Sequence, residues 1–182
     1  MTPPSSPSAH FRAHLDALRE AARLGPVVDL ACGRGRHALA AAQAGLPVVG
    51  IDRNAAFLAE LVTMARERSL DVAPVRADLE TGLGLPLAAG RCGALLVFRY
   101  LFRPLAVEIA EALSPGGLLL YETFTIHQKD LEQGPSNPEF LLREGELPAL
   151  FAGLEVLEAW EGWTQEARPT AVARLAARRP PA

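Results

Sequence analysis

Val27-Val28-Asp29-Leu30-Ala31-Cys32-Gly33-Arg34-Gly35-Arg36-His37-Ala38-Leu39-Ala40 is the stretch whose reading decides the fold. Val27 to Ala31 reads as a short buried strand, Cys32 to Gly35 as a glycine turn, and the alanine-rich remainder as a helix. Gly33 and Gly35 stand where a strand turns sharply and where a ligand can approach bare backbone. A helix that opens on such a turn aims its free N–H groups and the positive end of its dipole at whatever the turn holds. The next apolar run, Val48-Val49-Gly50-Ile51, ends in Asp52. In an open α/β sheet, that spacing sets a carboxylate beside a bound ribose. The stretch predicts a nucleoside site.

The turn alone leaves two cofactor classes open, because Gly33, Gly35 and Ala38 also satisfy the looser dinucleotide pattern G-x-G-x-x-G/A. The rest of the chain bears on the choice. It has 182 residues, 49% apolar and 21% charged, which suits one soluble domain with one sizeable core. With 18 basic and 21 acidic residues the net charge is −3, so no global field draws nucleic acid, and a nucleic-acid partner is not expected. Cys32 and Cys92 are too few for a disulfide framework and have no metal-ligand spacing, and no metal is expected. No apolar run reaches the length of a membrane span, and the N-terminus has no signal pattern. A cytoplasmic protein with no membrane partner is the expectation.

Taken in order, Met1 to Ser8 reads as a disordered Pro/Ser tail, and residues 9–177 as a single domain. Helical spacing of Phe11, Leu15, Leu18 and Ala22 predicts a helix from His10 to Leu24, stopped by Gly25-Pro26. After Asp52, Asn54 caps a helix through Phe57, Leu58, Leu61 and Val62. Short strands follow at Val72 to Arg76 and Gly93 to Phe98, the second an unbroken apolar run of the kind buried in parallel sheets. Leu105 to Leu113 reads as a helix, and Ser114-Pro115-Gly116-Gly117 turns into a strand at Leu118 to Tyr121. This β-α alternation predicts a doubly wound α/β fold of seven mostly parallel strands, Rossmann-like, with a C-terminal antiparallel hairpin from Leu154–Trp163 and Thr170–Ala176. Glu122 to Leu147 shows no periodicity and reads as a lid, with Asn137, Phe140 and Leu141 toward the substrate; the Arg178-Arg179-Pro180-Pro181 tail is expected to fray.

Asp29 four residues ahead of Gly33, in the string D-L-A-C-G-x-G, resembles the first motif of the class I S-adenosylmethionine (SAM)-dependent methyltransferases. The late turn Leu113-Ser114-Pro115-Gly116-Gly117 is similar to the family's L-x-P-G-G, and the terminal hairpin to its last strands. Within the family, C-G-x-G-R-H and Tyr121-Glu122-Thr123-Phe124-Thr125 look like the tellurite-resistance and thiopurine-type small-molecule subgroup. The resemblance implies SAM as cofactor, a small-molecule methyl acceptor, and cofactor contacts at Asp29, Ala31, Cys32, Gly33, Gly35, Asp52, Arg53, Asp78, Leu79 and Phe98. On it, Asp52 accepts from the ribose, Asp78-Leu79 meets the adenine, and Phe98 and Arg99 lie beside the methyl group.

For the chemistry, Arg99, Tyr100 and His127 are the candidate catalytic residues. Arg99, Tyr100 and Arg103 follow the fourth strand, at the edge where open sheets bind ligands, and two arginines there suggest an acidic or oxyanionic substrate. The alternative is that they pair with Glu108 or Glu122. His127 is the histidine placed for proton transfer; His37 reads as a packed or capping residue. A sulfonium leaves readily, so alignment and exclusion of water carry the reaction, and a general base need not exist. Trp160 and Trp163 lie on the last strands, where an exposed one would mark a homodimer surface. An NAD-dependent oxidoreductase and a non-catalytic SAM-binding subunit remain the alternative functions.

Overall fold

The structure is a computed structural model and describes residues 6–131, 133–165 and 168–181. The described residues form a seven-stranded sheet in the order β3-β2-β1-β4-β5-β7-β6. The strands are β1 (Val27–Leu30), β2 (Val48–Asp52), β3 (Val72–Arg76), β4 (Cys92–Phe98), β5 (Leu113–Phe124), β6 (Glu155–Trp163) and β7 (Ala171–Arg178). The first five run parallel; β7 enters antiparallel between β5 and β6. The doubly wound expectation is met. Each central strand is buried on both faces, which is why Cys92–Phe98 carries an unbroken apolar run rather than alternation, and why Val27–Leu30 is apolar but for the buried Asp29.

Helices cover both faces. On one side α1 (Ala9–Ala13), α2 (Leu15–Ala21), α3 (Arg36–Gln43) and α4 (Ala55–Glu67) pack Phe11, Leu18, Leu39 and Leu61 against Leu96, Phe98 and Leu120. On the other, α5 (Ala106–Ala112) and α6 (Glu146–Leu150) pack Ile109 and Leu147 against Leu95, Val97, Leu119 and Leu175. Asn54 caps α4 as expected, its Oδ1 accepting from the Ala56 and Phe57 N–H groups.

Several boundaries are corrected. The first helix breaks into α1 and α2 at His14, whose backbone (φ −105, ψ 15) leaves the helical region. The tail expected to run to Ser8 falls in part outside the described residues, but Ser8 itself is buried and caps α1 by accepting from the Phe11 N–H. β5 begins at Leu113 and runs through the Pro-Gly-Gly turn with a register shift opposite Cys92, because both flanks pair with β4. It also continues to Phe124, held by β7 across Phe124↔Val172. The helix expected at Leu105 starts as a 3-10 turn (Arg103–Leu105) before α5. The C-terminal tail does not fray: Arg178 belongs to β7, and the Arg179 guanidinium donates to the Glu111 and Leu113 carbonyls at 2.7 and 2.5 Å.

The expected lid, Glu122 to Leu147, is a tied-down surface rather than a free loop. It carries 3-10 turns at Ile126–Asp130 and Pro138–Phe140 and then α6. Gln128 is fully buried, accepting from the Ala171 N–H and donating to the Gln133 carbonyl. Leu141 packs inward with Phe124 and Val172, so it does not face a site, whereas Phe140 is exposed.

Candidate functional site

The parallel strands bring their carboxyl ends to one edge, and the glycine turn lies there between β1 and α3. Ala31, Gly33 and Gly35 all take left-handed backbone (φ 52, 56 and 79). For Ala31 that conformation costs about 1–2 kcal/mol, strain of the kind that gathers at binding sites. The two glycines have different reasons. A Cβ on Gly35 would strike Leu61 Cδ1 at 2.3 Å, whereas one on Gly33 would enter open space, so Gly33 presents bare backbone outward. Cys32 points inward against Gly50 and Leu61, and burial pushes its thiol well above the usual range, so it is an inert small filler.

Two carboxylates organise this turn. Asp52, at the end of β2, accepts from the Gly33 N–H through Oδ2 and from the Asn54 N–H through Oδ1, both at 2.8 Å. Asp29 is buried at the end of β1 and accepts from the Ala38 N–H at 2.9 Å, in the first turn of α3. Desolvation pushes the Asp29 carboxyl up to about 7, with the Ala38 N–H and Arg36 opposing. A cation arriving beside Asp29 would relieve that cost.

A cavity of about 120 Å³ opens next to the turn, lined by Ala31, Asp52, Arg53, Ala77, Asp78, Leu79, Glu80 and Tyr100. Asp78 Oδ1 accepts from the Glu80 N–H, and Glu80 lies 3.5 Å from Arg53. The Tyr100 hydroxyl is buried without a hydrogen-bond partner among the described residues. Desolvation and the charges of Glu80 and Asp78 keep its phenol protonated. Carboxylate acceptors with an unpartnered hydroxyl fit a nucleoside, whose hydroxyl and amino groups donate and whose ring nitrogens accept. The structure thus gathers Ala31, Asp52, Arg53, Asp78 and Leu79 at one cavity, and brings Tyr100 to it rather than to the acceptor edge.

The edge beyond the turn is built by a cross-strand row. Phe98 (β4), Glu122 (β5), Arg174 (β7) and Trp160 (β6) stand opposite one another in register and share a face. Phe98 stacks on His37 at 3.7 Å, Glu122 pairs with Arg174 at 2.7 Å, and Arg174 lies 4.8 Å over Trp160. The helix α1 roofs the row, with His10 and Phe11 against Phe98 and His37. His37 Nε2 accepts from the Ser8 N–H, which requires a neutral ring, and burial holds its pKa down to about 2. Burial likewise holds His10 down to about 4, its Nε2 donating to the Leu175 carbonyl. His10 and His37 were not among the predicted site residues; only the sheet register brings residues this far apart in sequence to one place.

Arg99 follows Phe98 with left-handed backbone (φ 59), its N–H donating to the Glu122 carbonyl and its guanidinium lying 5.6 Å over the Phe124 ring. Arg103 is corrected: it holds Glu146 in a two-pronged pair at 2.6 and 2.9 Å and donates to the Glu139 and Leu141 carbonyls, so it anchors the covering segment. His127 is not brought to the cofactor turn. It lines a separate cavity of about 450 Å³ with Thr125, Glu144, Glu161, Trp163 and Ala171. From Asp52 on β2 to Ala171 on β7 is four strand spacings, roughly 19 Å at about 4.8 Å each. Among the described residues no cluster of His, Cys, Asp and Glu could hold a metal, and no helix is long and apolar enough to cross a membrane.

Comparison with known proteins agrees with this geometry. Residues 27–117 match the family model described as "Methyltransferase domain", half of the chain. No curated protein matches in sequence. Among solved structures, TehB from Haemophilus influenzae is similar at a TM-score of 0.71 and 20% identity, over 90% of this chain and 62% of its own. The chain therefore spans less than two thirds of TehB. The [4+2]-cyclase SpnF is similar at 0.73 and 20%, over 94% of this chain and 81% of its own. An S-adenosylmethionine-dependent methyltransferase from Mesorhizobium loti gives 0.66 and 20%, over 92% and 98%. At such identities the likeness shows the fold.

Proposed function

The chain belongs to the methyltransferase-domain family, a class I enzyme whose cofactor is S-adenosylmethionine, and we propose that it methylates a small-molecule acceptor. The observation that carries the reading is the cavity beside the left-handed turn, where Asp52 and Asp78 supply acceptors and Tyr100 an unpartnered donor. When bound there, the cofactor supplies a methyl group on a sulfonium. The chain's own residues bind and align. Asp52 receives the ribose hydroxyls, Asp78 and the Leu79 backbone meet the adenine, Gly33 gives close backbone approach, and Asp29 faces the amino end. Ala31, Cys32, Gly35 and Arg53 shape the same site, and Phe98 closes it toward the acceptor.

Among the described residues, none at that edge is set to take a proton. His10 and His37 are held neutral with ring nitrogens bonded to backbone and Glu122 is engaged by Arg174, while in the cofactor cavity the Tyr100 phenol is held protonated. The acceptor must bring its own lone pair, and the site contributes alignment and exclusion of water. The α1 roof over Phe98 and the net charge of −3 favour a small molecule over RNA. The setting proposed is cytoplasmic, and a homodimer would form on the exposed edge strand β6, where Trp160 and Trp163 both stand out. The tellurite-resistance and thiopurine subgroup remains a proposal resting on the Cys32–His37 string and on Tyr121–Thr125.

Thermal stabilisation by S-adenosylhomocysteine against NAD, on wild type and Asp52→Ala, tests the reading. Stabilisation by the homocysteine nucleoside that weakens in the variant supports it. Stabilisation by NAD alone sinks it and restores the oxidoreductase. Cofactor binding without transfer to any of a panel of thiols, acids and amines would favour the non-catalytic subunit.

A further inference from the structure

At the carboxyl edge of the sheet, four arginines each face a carboxylate. Arg34 faces Glu60 at 2.7 Å, Arg53 faces Glu80 at 3.5 Å, Arg103 faces Glu146 at 2.6 Å and Arg174 faces Glu122 at 2.7 Å. Arg99 is different. Among the described residues its exposed guanidinium has no carboxylate or carbonyl acceptor and rests only against the Phe124 ring. The carboxylate within reach on β5, Glu122, is held by Arg174, while its backbone carbonyl takes the Arg99 N–H.

The position is fixed and it is strained. Left-handed backbone at an arginine costs about 1–2 kcal/mol, and glycine would remove that cost. The chain keeps a long cation there, on rigid backbone, one residue past Phe98 and close enough for its charge to act on His37. The aromatic shelf beneath it limits the directions the guanidinium can take and excludes water from one side, which strengthens whatever ion pair it forms. The imidazoles beside it are neutral and add no second charge.

Resting on the methyl-transfer reading, we propose that the acceptor is an anionic small molecule whose negative group docks on Arg99. Two anionic groups fit this chemistry: the accepting atom itself, as a thiolate or oxyanion, and a carboxylate elsewhere on the acceptor. The cofactor's own carboxylate is the competing ligand.

The test uses the full chain saturated with S-adenosylhomocysteine. Benzoate, benzamide and benzylamine form one matched probe set; propanoate, propanamide and propylamine form another. Thermal shift and calorimetry are read on wild type, Arg99→Gln and Arg99→Gly. The expected result is stabilisation of wild type by the carboxylates and not by the amides or amines, falling at least fivefold in affinity in both variants, with S-adenosylhomocysteine affinity unchanged within twofold. Arg99→Gly should also melt higher than wild type, which separates lost recognition from lost folding. Matched thiols with and without a carboxylate, assayed for methylation, then distinguish the two anionic groups: a carboxylate requirement appears in KM, an accepting thiolate in the pH profile. Equal shifts across a set, no shift with any carboxylate, or carboxylate binding retained in Arg99→Gln would overturn the proposal. So would a tenfold loss of S-adenosylhomocysteine affinity in Arg99→Gln, which would assign Arg99 to the cofactor. Failure of wild type to bind S-adenosylhomocysteine at all would instead count against the methyltransferase reading.

Discussion

The buried carboxylate of Asp29 accepts a single short hydrogen bond from the Ala38 N–H, 2.9 Å away, and so joins the end of β1 to the first turn of α3. Desolvation raises its pKa from the ordinary 3.8 to about 7, so the folded state holds this proton more tightly than the unfolded chain. The associated stability is complete below pH about 4 and is lost as pH rises through about 7. Asp29→Asn keeps an oxygen for the Ala38 N–H and removes the charge. In the absence of ligand its advantage over wild type should already be present at pH 5 and grow by on the order of 2–3 kcal/mol by pH 8 in urea melts. The same variant should bind S-adenosylhomocysteine more weakly, the outcome expected where a carboxylate is kept for a ligand at the expense of the fold.

Tyr121 donates its hydroxyl to the Tyr100 carbonyl at 2.9 Å, while the Tyr100 hydroxyl itself has no partner among the described residues. The first contact sets the second group in the cofactor cavity. Tyr100→Phe should therefore leave the ligand-free protein as stable as wild type or slightly more so, since an unsatisfied buried hydroxyl disappears. It should weaken S-adenosylhomocysteine roughly five- to tenfold, the effect of one hydrogen bond of about 1 kcal/mol. Titration calorimetry reads both arms. Unchanged affinity together with a lower melting point would make Tyr100 a packing residue only.

What was legible in the chain follows from how local the evidence was. The run from Val27 to Gly35, Asp52 at the end of β2, and the Asn54 cap each depend on neighbours within a few residues, and each is found where the pattern placed it. Arg103 was misread because its partner Glu146 lies 43 residues on, in a helix of five residues that contains Pro148 and has no room to show a period. The full length of β5 was hidden for a similar reason, since its last residues are strand only because β7 returns from the C-terminus to pair with them. His127 sat in the right segment by sequence, yet the fold turns that segment toward β6 and β7 and away from the glycine turn. The edge strand β6 shows no alternation of burial and carries a register shift after Val156, and both tryptophans stay exposed, Trp160 at 39% and Trp163 at 47%.

Arg103 clamps the covering segment through Glu146 and the Glu139 and Leu141 carbonyls. Each partner's hydrogen bond raises the pKa of the arginine and lowers that of the glutamate, so the pair stays ionised across the working range. With the side chains 30% and 17% exposed, solvent screens part of its strength. Arg103→Met should destabilise by about 1–2 kcal/mol and make the chain around Pro138–Phe140 sensitive to limited proteolysis. S-adenosylhomocysteine affinity should not change, because the clamp does not touch the cavity beside the turn. A loss of cofactor binding in this variant would place the segment in the cofactor site after all.

His10 and His37 act on stability in the opposite sense to Asp29. Burial lowers both from the ordinary 6.5, to about 4 and about 2, so the unfolded chain takes up their protons first. Their contribution is whole above pH about 6.5 and is lost as pH falls toward 4. Wild-type stability between pH 4 and 6.5 is then the sum of opposing slopes, two histidines against one carboxylate, and rises with pH less steeply than the histidines alone would make it. The slopes separate by mutation. Asp29→Asn should show stability falling steeply below pH 6.5, while His10→Gln, whose amide can still donate to the Leu175 carbonyl, should soften that fall. Because His10 lies on α1, whose Phe11 and Ser8 contact His37, protonation loosens the roof over Phe98 before the rest of the chain opens. Hydrogen exchange at pH 4.5 should show faster exchange in residues 9–13 than at pH 7, after correction for the intrinsic rate. Equal protection at both values would mean that α1 holds its place without the neutral histidines.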